Sequence, residues 1–575
     1  MKYHHSIFRA SSFVLLSGFG FLISNFSPAA PPPLSPGVAF HSFDHLGEFN
    51  NQADTAAASG CNITYITGMG SLGYTGLPAT AALDDAKQAT AAYNHHAKQQ
   101  GIQLSIAYVC ATSIVNLKTF SQNWTPDFRA QFSTPPADWL QQDKDGHPLP
   151  SWYGGDYRPA CMNNPDWRKY EHAIVSFQIR AGSDGIFFDN PTVHPQGCYC
   201  PFCMKKFAAY LAAQGATDLP SDIPALRHLA VTRSEDFLRF RGTIARDFIS
   251  DMRSYARTIN PDALVTCNNS LNSPEVFFSQ CRDYGYNIDQ LAQAEDWILL
   301  EDMGNQPRTL PAGQQIEYAP TYELIHSISH DKPIVAITIA DADYHTPPNL
   351  TRLAMAEAAA HNASYLLWPT WPENIRSAMS SSIRSEADFL RTHADLMSIP
   401  ERADVILYLP YQTWPTAKDC HALTIARALT ANNISYKVTT DSSAPAQGVL
   451  LDFPGSPRSI DTSKPDWLTT LRSQLPSAIT TTNPSLRVTI HDDPARTVVH
   501  LLNLNIQKIS SYQDKIVPLA GVKISFTTPL PSIKTITAFS ADPAATQGPI
   551  PFTIADHTIT LSVPAISIST ILVIE

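Results

Sequence analysis

Between residues 36 and 395 the chain alternates short apolar runs with amphipathic stretches, and few folds accept that rhythm. Eight apolar runs stand out: Val38–Phe43, Ile63–Thr67, Gln103–Val109, Gly185–Asp189, Leu264–Cys267, Trp297–Glu301, Ile334–Ile339 and Ser364–Trp368. Ala81–Gln99, Asp166–Ala181 and Asn349–His361 carry helical periodicity between them. Strand-length runs alternating with helices over this span predict an α/β fold, a (β/α)₈ TIM barrel. A doubly wound open sheet also alternates, but no Gly-rich phosphate loop follows the first run.

A chain of 575 residues exceeds what one core organises, so further domains are expected. Beyond residue 400, Val405–Leu409, Tyr436–Thr439 and Gly448–Asp452 with a helix at His421–Asn432 suggest a small α/β domain. From Leu486 strand follows strand (Arg487–His491, Thr497–Leu502, Val522–Thr527, Ile533–Ala538, Thr558–Val563, Ser569–Ile574), the pattern of a β-sandwich. The expected divisions are 30–398 for the barrel, 399–485 for the small domain and 486–575 for the sandwich. Residues 1–29 read as an export signal. Lys2 and Arg9 precede the apolar stretch Ser12–Ser24, and Ser27-Pro28-Ala29 offers small residues for cleavage. An uncleaved anchor is the other reading, since Pro31 to Pro33 crowd the cleavage point. A secreted or periplasmic protein without stable membrane insertion is expected, monomeric or homo-oligomeric.

A net charge of −11, with no basic patch, argues against a nucleic-acid partner. No serine-hydrolase elbow and no His-Glu-x-x-His motif appear, and no organic cofactor is expected. His95 and His96 fall on a polar helix and read as solvated. The loop from Thr112 to about Pro165 is long and carries Trp124, Trp139, Trp152, Tyr153 and Tyr157. Long loops at the carboxyl ends of barrel strands carry function, and aromatic faces suit sugar rings, though most aromatics belong to cores.

Two motifs carry chemistry. Ser183-Asp184-Gly185-Ile186-Phe187-Phe188-Asp189-Asn190-Pro191 is a buried strand ending in an acid, an amide and a helix-breaking proline. An acid at the carboxyl end of a barrel strand reads as catalytic; its bland alternative is an Asx turn before proline. Cys198-Tyr199-Cys200-Pro201-Phe202-Cys203 packs three thiols into six residues, with nine Cys in the chain. Such spacing suits disulfides poorly and suits zinc well. Cys161 is the best fourth ligand and His194 the next. Four protein ligands close the coordination sphere, so the zinc would be structural; a Cys161 disulfide is the alternative.

The segment Cys198-x-Cys200-x-x-Cys203-x-x-x-Phe207-x-x-Tyr210-Leu211, with Cys161 upstream, resembles the zinc-binding segment of glycoside hydrolase family 42 β-galactosidases. That family ends its fourth strand in Asn-Glu, and here Asn190 precedes Pro191. Its seventh-strand Glu is missing too, since Ile337-Thr338-Ile339-Ala340-Asp341 stands there. The family's catalytic pair therefore does not transfer. Phe187-Phe188-Asp189-Asn190-Pro191 more closely resembles barrel hydrolases of the "hypothetical glycosyl hydrolase" type, and α-galactosidase-like and dextranase-like families with an Asp nucleophile ending strand four.

A glycosidase needs a second carboxyl. Glu301, ending Trp297-Ile298-Leu299-Leu300-Glu301, is the best candidate, and its strand number matches the acid/base position of the α-galactosidase-like pattern. Asp302 faces oppositely, and both parities of the run are apolar, so periodicity does not choose between them. Asp341 and Asp343 are weaker. Strand ends supply candidate sugar-binding residues: His41, Asp44, Tyr108, Asn190, Asn268, Asn269, Asp341, Trp368 and Trp371. The expected activity is a retaining O-glycosidase on an oligo- or polysaccharide, with Asp189 as nucleophile and Glu301 as acid/base. The resemblance slightly favours α-glycosides. A family 42-like β-galactosidase with displaced acids and a non-catalytic glycan-binding barrel are the alternatives.

Overall fold

A computed structural model describes residues 41–44, 49, 51–66, 68–151, 153–272, 277–303, 306–339, 346–475, 479–555 and 557–575. The export signal, Trp152, Asp341 and Asp343 lie outside the described residues, as do the side chains of His41, Asp44 and Asp302.

Eight parallel strands close into a barrel. They are β1 (His41–Asp44), β2 (Ile63–Ile66), β3 (Leu104–Cys110), β4 (Gly185–Asp189), β5 (Leu264–Asn272), β6 (Ile298–Met303), β7 (Ile334–Ile339) and β8 (Ser364–Leu367). Each falls on one of the apolar runs of the sequence. Barrel strands are buried on both faces, which is why they read as continuous apolar runs rather than alternating ones. One parity fills the barrel: Ile63, Tyr65, Leu104, Ile106, Phe187, Leu299, Val335, Ile337 and Leu366 form an interior cluster. The other parity packs under helices: Val109, Ile186, Phe188, Val265 and Cys267 on one side, and Ile298, Leu300, Ile334 and Ala336 on the other.

Gly185 shows how tightly the strands fit, because a Cβ there would lie 2.4 Å from the Leu264 carbonyl oxygen. The register sets the heights of the functional positions. Cys110 pairs with Asp189, and Tyr108 with Phe187; Asn268 pairs with Leu299, and Ser270 with Glu301. Asp189, Asn268 and Glu301 thus end their strands at the same rim, the carboxyl-end face on which this fold carries function.

The loop after β3 folds over this rim as an antiparallel hairpin, Ser113–Val115 against Tyr157–Pro159. Its Trp124 and Trp139 are core residues, packed with Phe120, Trp167 and Tyr170. Trp124 stacks on Tyr170 with centroids 5.6 Å apart. After β4 come helices Pro201–Ala213, Ile223–Thr232 and Ser234–Ile259. The last two are separated at Arg233, whose φ of −103° and ψ of 53° leave the helical region. The break lets Leu226 and Ala230 bury in the same cluster as Phe237 and Phe240.

The middle segment forms a four-stranded parallel sheet in the order Tyr436–Thr439, Val405–Tyr408, Val449–Leu451, Ser459–Ile460. The C-terminal segment forms two antiparallel sheets of four and five strands around a core of Ile490, Val499, Ile524, Leu561 and Leu572. The chain enters this sandwich at Thr480–Thr481, which pairs with Ile524 and Ser525, before the expected boundary at 486. One continuous apolar cluster joins barrel residues, the middle sheet and Val498, Ile571 and Val573 of the sandwich. The junctions are therefore packed surfaces and not free linkers.

Candidate active site and cysteine centre

At the rim, Asp189 is gripped by four donors. The Tyr108 hydroxyl donates to Oδ2 at 2.8 Å. The Asn190 backbone N–H donates to Oδ1 at 2.9 Å and its side-chain amide to Oδ2 at 2.6 Å. Asn268 Nδ2 donates to Oδ1 at 3.0 Å. Asn190 takes a φ of 51°, a left-handed conformation that asparagine tolerates better than most residues, and this turns its amide back onto the acid. The turn is held from below: the Ala111 N–H donates to the Asp189 carbonyl at 2.7 Å and the Thr112 hydroxyl to the Asn190 carbonyl at 2.6 Å.

Glu301 shares the interior parity of Trp297 and Leu299, so its side chain enters the mouth. Asn268 Nδ2 also donates to Glu301 Oε2. A single amide nitrogen thus touches both acids, and their nearest oxygens lie within two hydrogen-bond lengths, roughly 6 Å at most. Asp302 falls on the opposite parity, paired with Thr338.

The two carboxyls differ in environment. Burial pushes Glu301 up to about 7, the charge of Asp189 adds to that, and its one donor, Asn268, opposes. Burial also raises Asp189, but Asn268, Tyr108 and the Asn190 N–H stabilise its ionised form. Both acids are raised, and a carboxyl held by four donors beside one held by a single donor is an arrangement that can divide into a carboxylate and a proton donor. The pair is coupled, so its titration belongs to both groups. Tyr108 stays protonated and keeps donating, because burial and the Asp189 charge push its hydroxyl far up.

Sequence reasoning missed Glu295, which fixes Asn268 from behind the barrel wall. The carboxylate of Glu295 accepts the Cys267 N–H at 3.0 Å and the Asn269 amide at 3.0 and 3.1 Å. Burial pushes it up to about 7. Asn269 is fully buried on that outward parity, so it braces the strand and does not face the mouth. Trp371 is only 1% exposed, and its indole N–H donates to Thr346 Oγ1 at 2.8 Å. It is a packing residue, while Trp368 remains half-buried over the barrel interior with Tyr108. His96 pairs with Asp54 at 2.8 Å and His95 contacts Gln99 at 3.0 Å, both at the surface.

Behind the β4 loop, Cys161, Cys198, Cys200 and Cys203 converge with all four sulfurs within 4.8 Å of one another. Cys161 Sγ lies 3.4 Å from Cys200 Sγ and 3.5 Å from Cys203 Sγ, and none of the nine Cys is bridged. These spacings are near those of thiolates about 2.3 Å from a shared zinc and far from a disulfide length near 2.05 Å. N–H groups point at the sulfurs, Asn163 N to Cys161 at 3.4 Å and Asn163 Nδ2 to Cys203 at 3.3 Å. Such donors orient and stabilise metal-bound thiolates. The donor set fits zinc as a closed, structural site. His194 stands apart, its Nδ1 accepting the Gln196 N–H at 3.1 Å.

The fold is similar to those of solved glycoside hydrolases. The α-L-fucosidase isoenzyme 2 from Paenibacillus thiaminolyticus superposes with a TM-score of 0.60 at 12% identity, covering 93% of this chain and 99% of that one. Gan42B, a GH42 β-galactosidase from G. stearothermophilus, gives 0.60 at 10% identity over 94% and 99%. The β-galactosidase from Bacillus circulans sp. alkalophilus gives 0.58 at 12% identity over 94% and 99%. No protein-family model and no curated protein matches the sequence. Likeness at such low identity establishes the fold.

Proposed function

We propose that the chain is a secreted O-glycosidase that works with retention, Asp189 attacking the anomeric carbon and Glu301 serving as acid and then base. The observation that supports this reading is the shared amide of Asn268, which brings the nearest oxygens of the two carboxyls within roughly 6 Å of each other. Retaining enzymes hold their carboxyls about 5–5.5 Å apart, whereas inversion leaves about 6.5–9.5 Å for a water. Asp189, ionised among four donors, forms the glycosyl–enzyme bond as Glu301 gives its proton to the departing oxygen. Glu301 then takes a proton from water, whose oxygen attacks the anomeric carbon and releases Asp189. The solved glycosidases of the same fold support hydrolysis of a carbohydrate. α-Glycosides rank slightly ahead of β-glycosides only through the resemblance of the β4 ending.

The test is a panel of nitrophenyl α- and β-glycosides with wild type and Asp189→Asn. Turnover should fall by several orders of magnitude in the variant with little change in melting temperature. Full activity in Asp189→Asn would end the proposal, and NMR of the first-formed anomer decides retention. The four thiols would hold a structural zinc that ties the β4 loop to the Thr112–Pro165 loop and supplies rigidity without an open coordination position.

A further inference from the structure

Beside Asp189, on the side away from Glu301, lies a chamber of about 200 Å³ lined by Tyr74, Tyr108, Cys110, Ser113, Tyr153, Tyr157 and Asn190. Resting on the reading above, we propose that this chamber receives the single glycosyl unit attacked by Asp189, admits only an uncharged sugar, and makes the enzyme exo-acting.

The first argument is order around the rim. The chamber spans β2 to β4, Asp189 ends β4, Asn268 lies on β5 and Glu301 on β6. In a retaining pair the nucleophile lies under the sugar it captures and the acid beside the leaving oxygen. The glycone therefore sits on the tyrosine side and the leaving group toward β6 and β7.

The second argument is size. The chamber falls below the roughly 300–1,000 Å³ of pockets for drug-sized ligands, a space for one ring and not for a chain. Two of its walls, those of Tyr157 and Tyr74, stand on tied segments. Tyr157 belongs to the hairpin strand paired with Val115. Tyr74 is followed by Gly76, whose φ is 85° and where a Cβ would fall 2.0 Å from the Phe120 carbonyl oxygen. The segment bearing Tyr74 is thus pressed against the long loop with no room to spread. Tyr153 and Tyr157 pack with centroids 5.5 Å apart.

The third argument is charge. Among the described residues the lining holds no lysine, arginine or histidine. The nearest cation in sequence, Arg158, spends its Nη1 on the Gly155 and Tyr157 carbonyls at 3.0 and 2.6 Å. The charge facing the chamber is Asp189, reached through the Tyr108 hydroxyl. A uronate or sulfated sugar would meet a carboxylate with no counter-charge, whereas tyrosine faces and hydroxyls with the Asn190 amide match a neutral pyranose.

The full-length enzyme is assayed on nitrophenyl glycosides of neutral sugars and on the matching uronides, then on an end-labelled oligosaccharide of the sugar cleaved. Cleavage of neutral glycosides alone, with monosaccharide as the first product at every time point, is expected. Tyr74→Ala and Tyr157→Ala should weaken inhibition by that monosaccharide about 10-fold, the worth of one aromatic contact, while Tyr157→Phe retains it. Oligosaccharide first products, or uronides cleaved as fast as neutral glycosides, overturn the proposal. If the wild-type chain cleaves no glycoside, the proposed function fails separately. Calorimetric titration with free neutral hexoses and uronic acids then decides the chamber. Neutral binding lost in Tyr157→Ala sustains it as a sugar site, and no binding overturns it.

Discussion

Replacing Asn268 by alanine removes the group that touches both acids, and the consequence has a defined sign. Glu301 lies at about 7, with Asn268 as the influence that lowers it. A hydrogen bond to a charged group contributes about 1.5–3 kcal/mol, or about 1–2 pKa units. Asp189 and Glu301 are only partly shielded from water, so the lower end applies: about one unit. Glu301 acts protonated, and kcat/KM declines as pH rises through its pKa. In Asn268→Ala this alkaline limb should move up from near 7 to about 8. Asp189 loses a donor as well, and the acid limb, which reports its ionisation, should also move up. The rate at the optimum should drop by about 10–100-fold, because the two carboxyls lose their common reference. The assay is kcat/KM on the best nitrophenyl glycoside across the active pH range, with Glu301→Gln as the control that abolishes the alkaline limb. An alkaline limb that stays in place or moves down in Asn268→Ala would refute the assignment of Glu301 and of its bridge to Asp189.

Other perturbations have equally definite outcomes. A carboxyl raised in the fold favours folding below its unfolded pKa of about 4.5 and loses that contribution as pH climbs through about 7. Glu301→Gln has nothing to ionise, so its melting temperature should exceed wild type by a few degrees near about pH 8, with the gap closing near about pH 5. Glu295→Gln leaves the active-site groups in place but weakens the grip on β5, and should lower kcat with KM nearly unchanged; an unchanged kcat would remove its positioning role. Elemental analysis should find about one zinc per chain, and chelation or Cys198→Ser should lower thermal stability before the rate of the surviving fold. Gly185→Ala should cost about 1–3 kcal/mol in denaturant unfolding, because the new Cβ meets the Leu264 carbonyl oxygen at 2.4 Å.

Much of this molecule was legible in the sequence because barrel strands bury both faces. Each then becomes a continuous apolar run, and each of the eight runs overlaps one barrel strand, the part of the first run before His41 lying outside the described residues. The cysteine group was legible for a local reason, since three thiols in six residues leave few other arrangements. Two-sided burial also hides which side is in. The sequence offered Glu301 and Asp302, and likewise Asn268 and Asn269, without a polar parity to separate them. Leu299 and Leu300 are both buried, one inside the barrel and the other under helices. Trp371 was a candidate sugar-binding residue and Trp124 and Trp139 stood in an aromatic-rich loop; the apolar cores absorbed all three, because an indole gains more from full burial than from an exposed stack.

The sequence by itself determined the number and order of the elements, the acid at the end of the fourth strand and the composition of the cysteine centre. These follow from local patterning, in which chain neighbours declare what they need to bury. Only the tertiary structure decided that Asn268 joins Asp189 to Glu301, that Glu295 braces the strand from outside, and that Tyr74 and Tyr157 line one pocket beside the acid. Each of these arrangements joins residues distant in sequence, and for the acids the register of the closed barrel, which no local pattern encodes, sets which side chains share a height and a face.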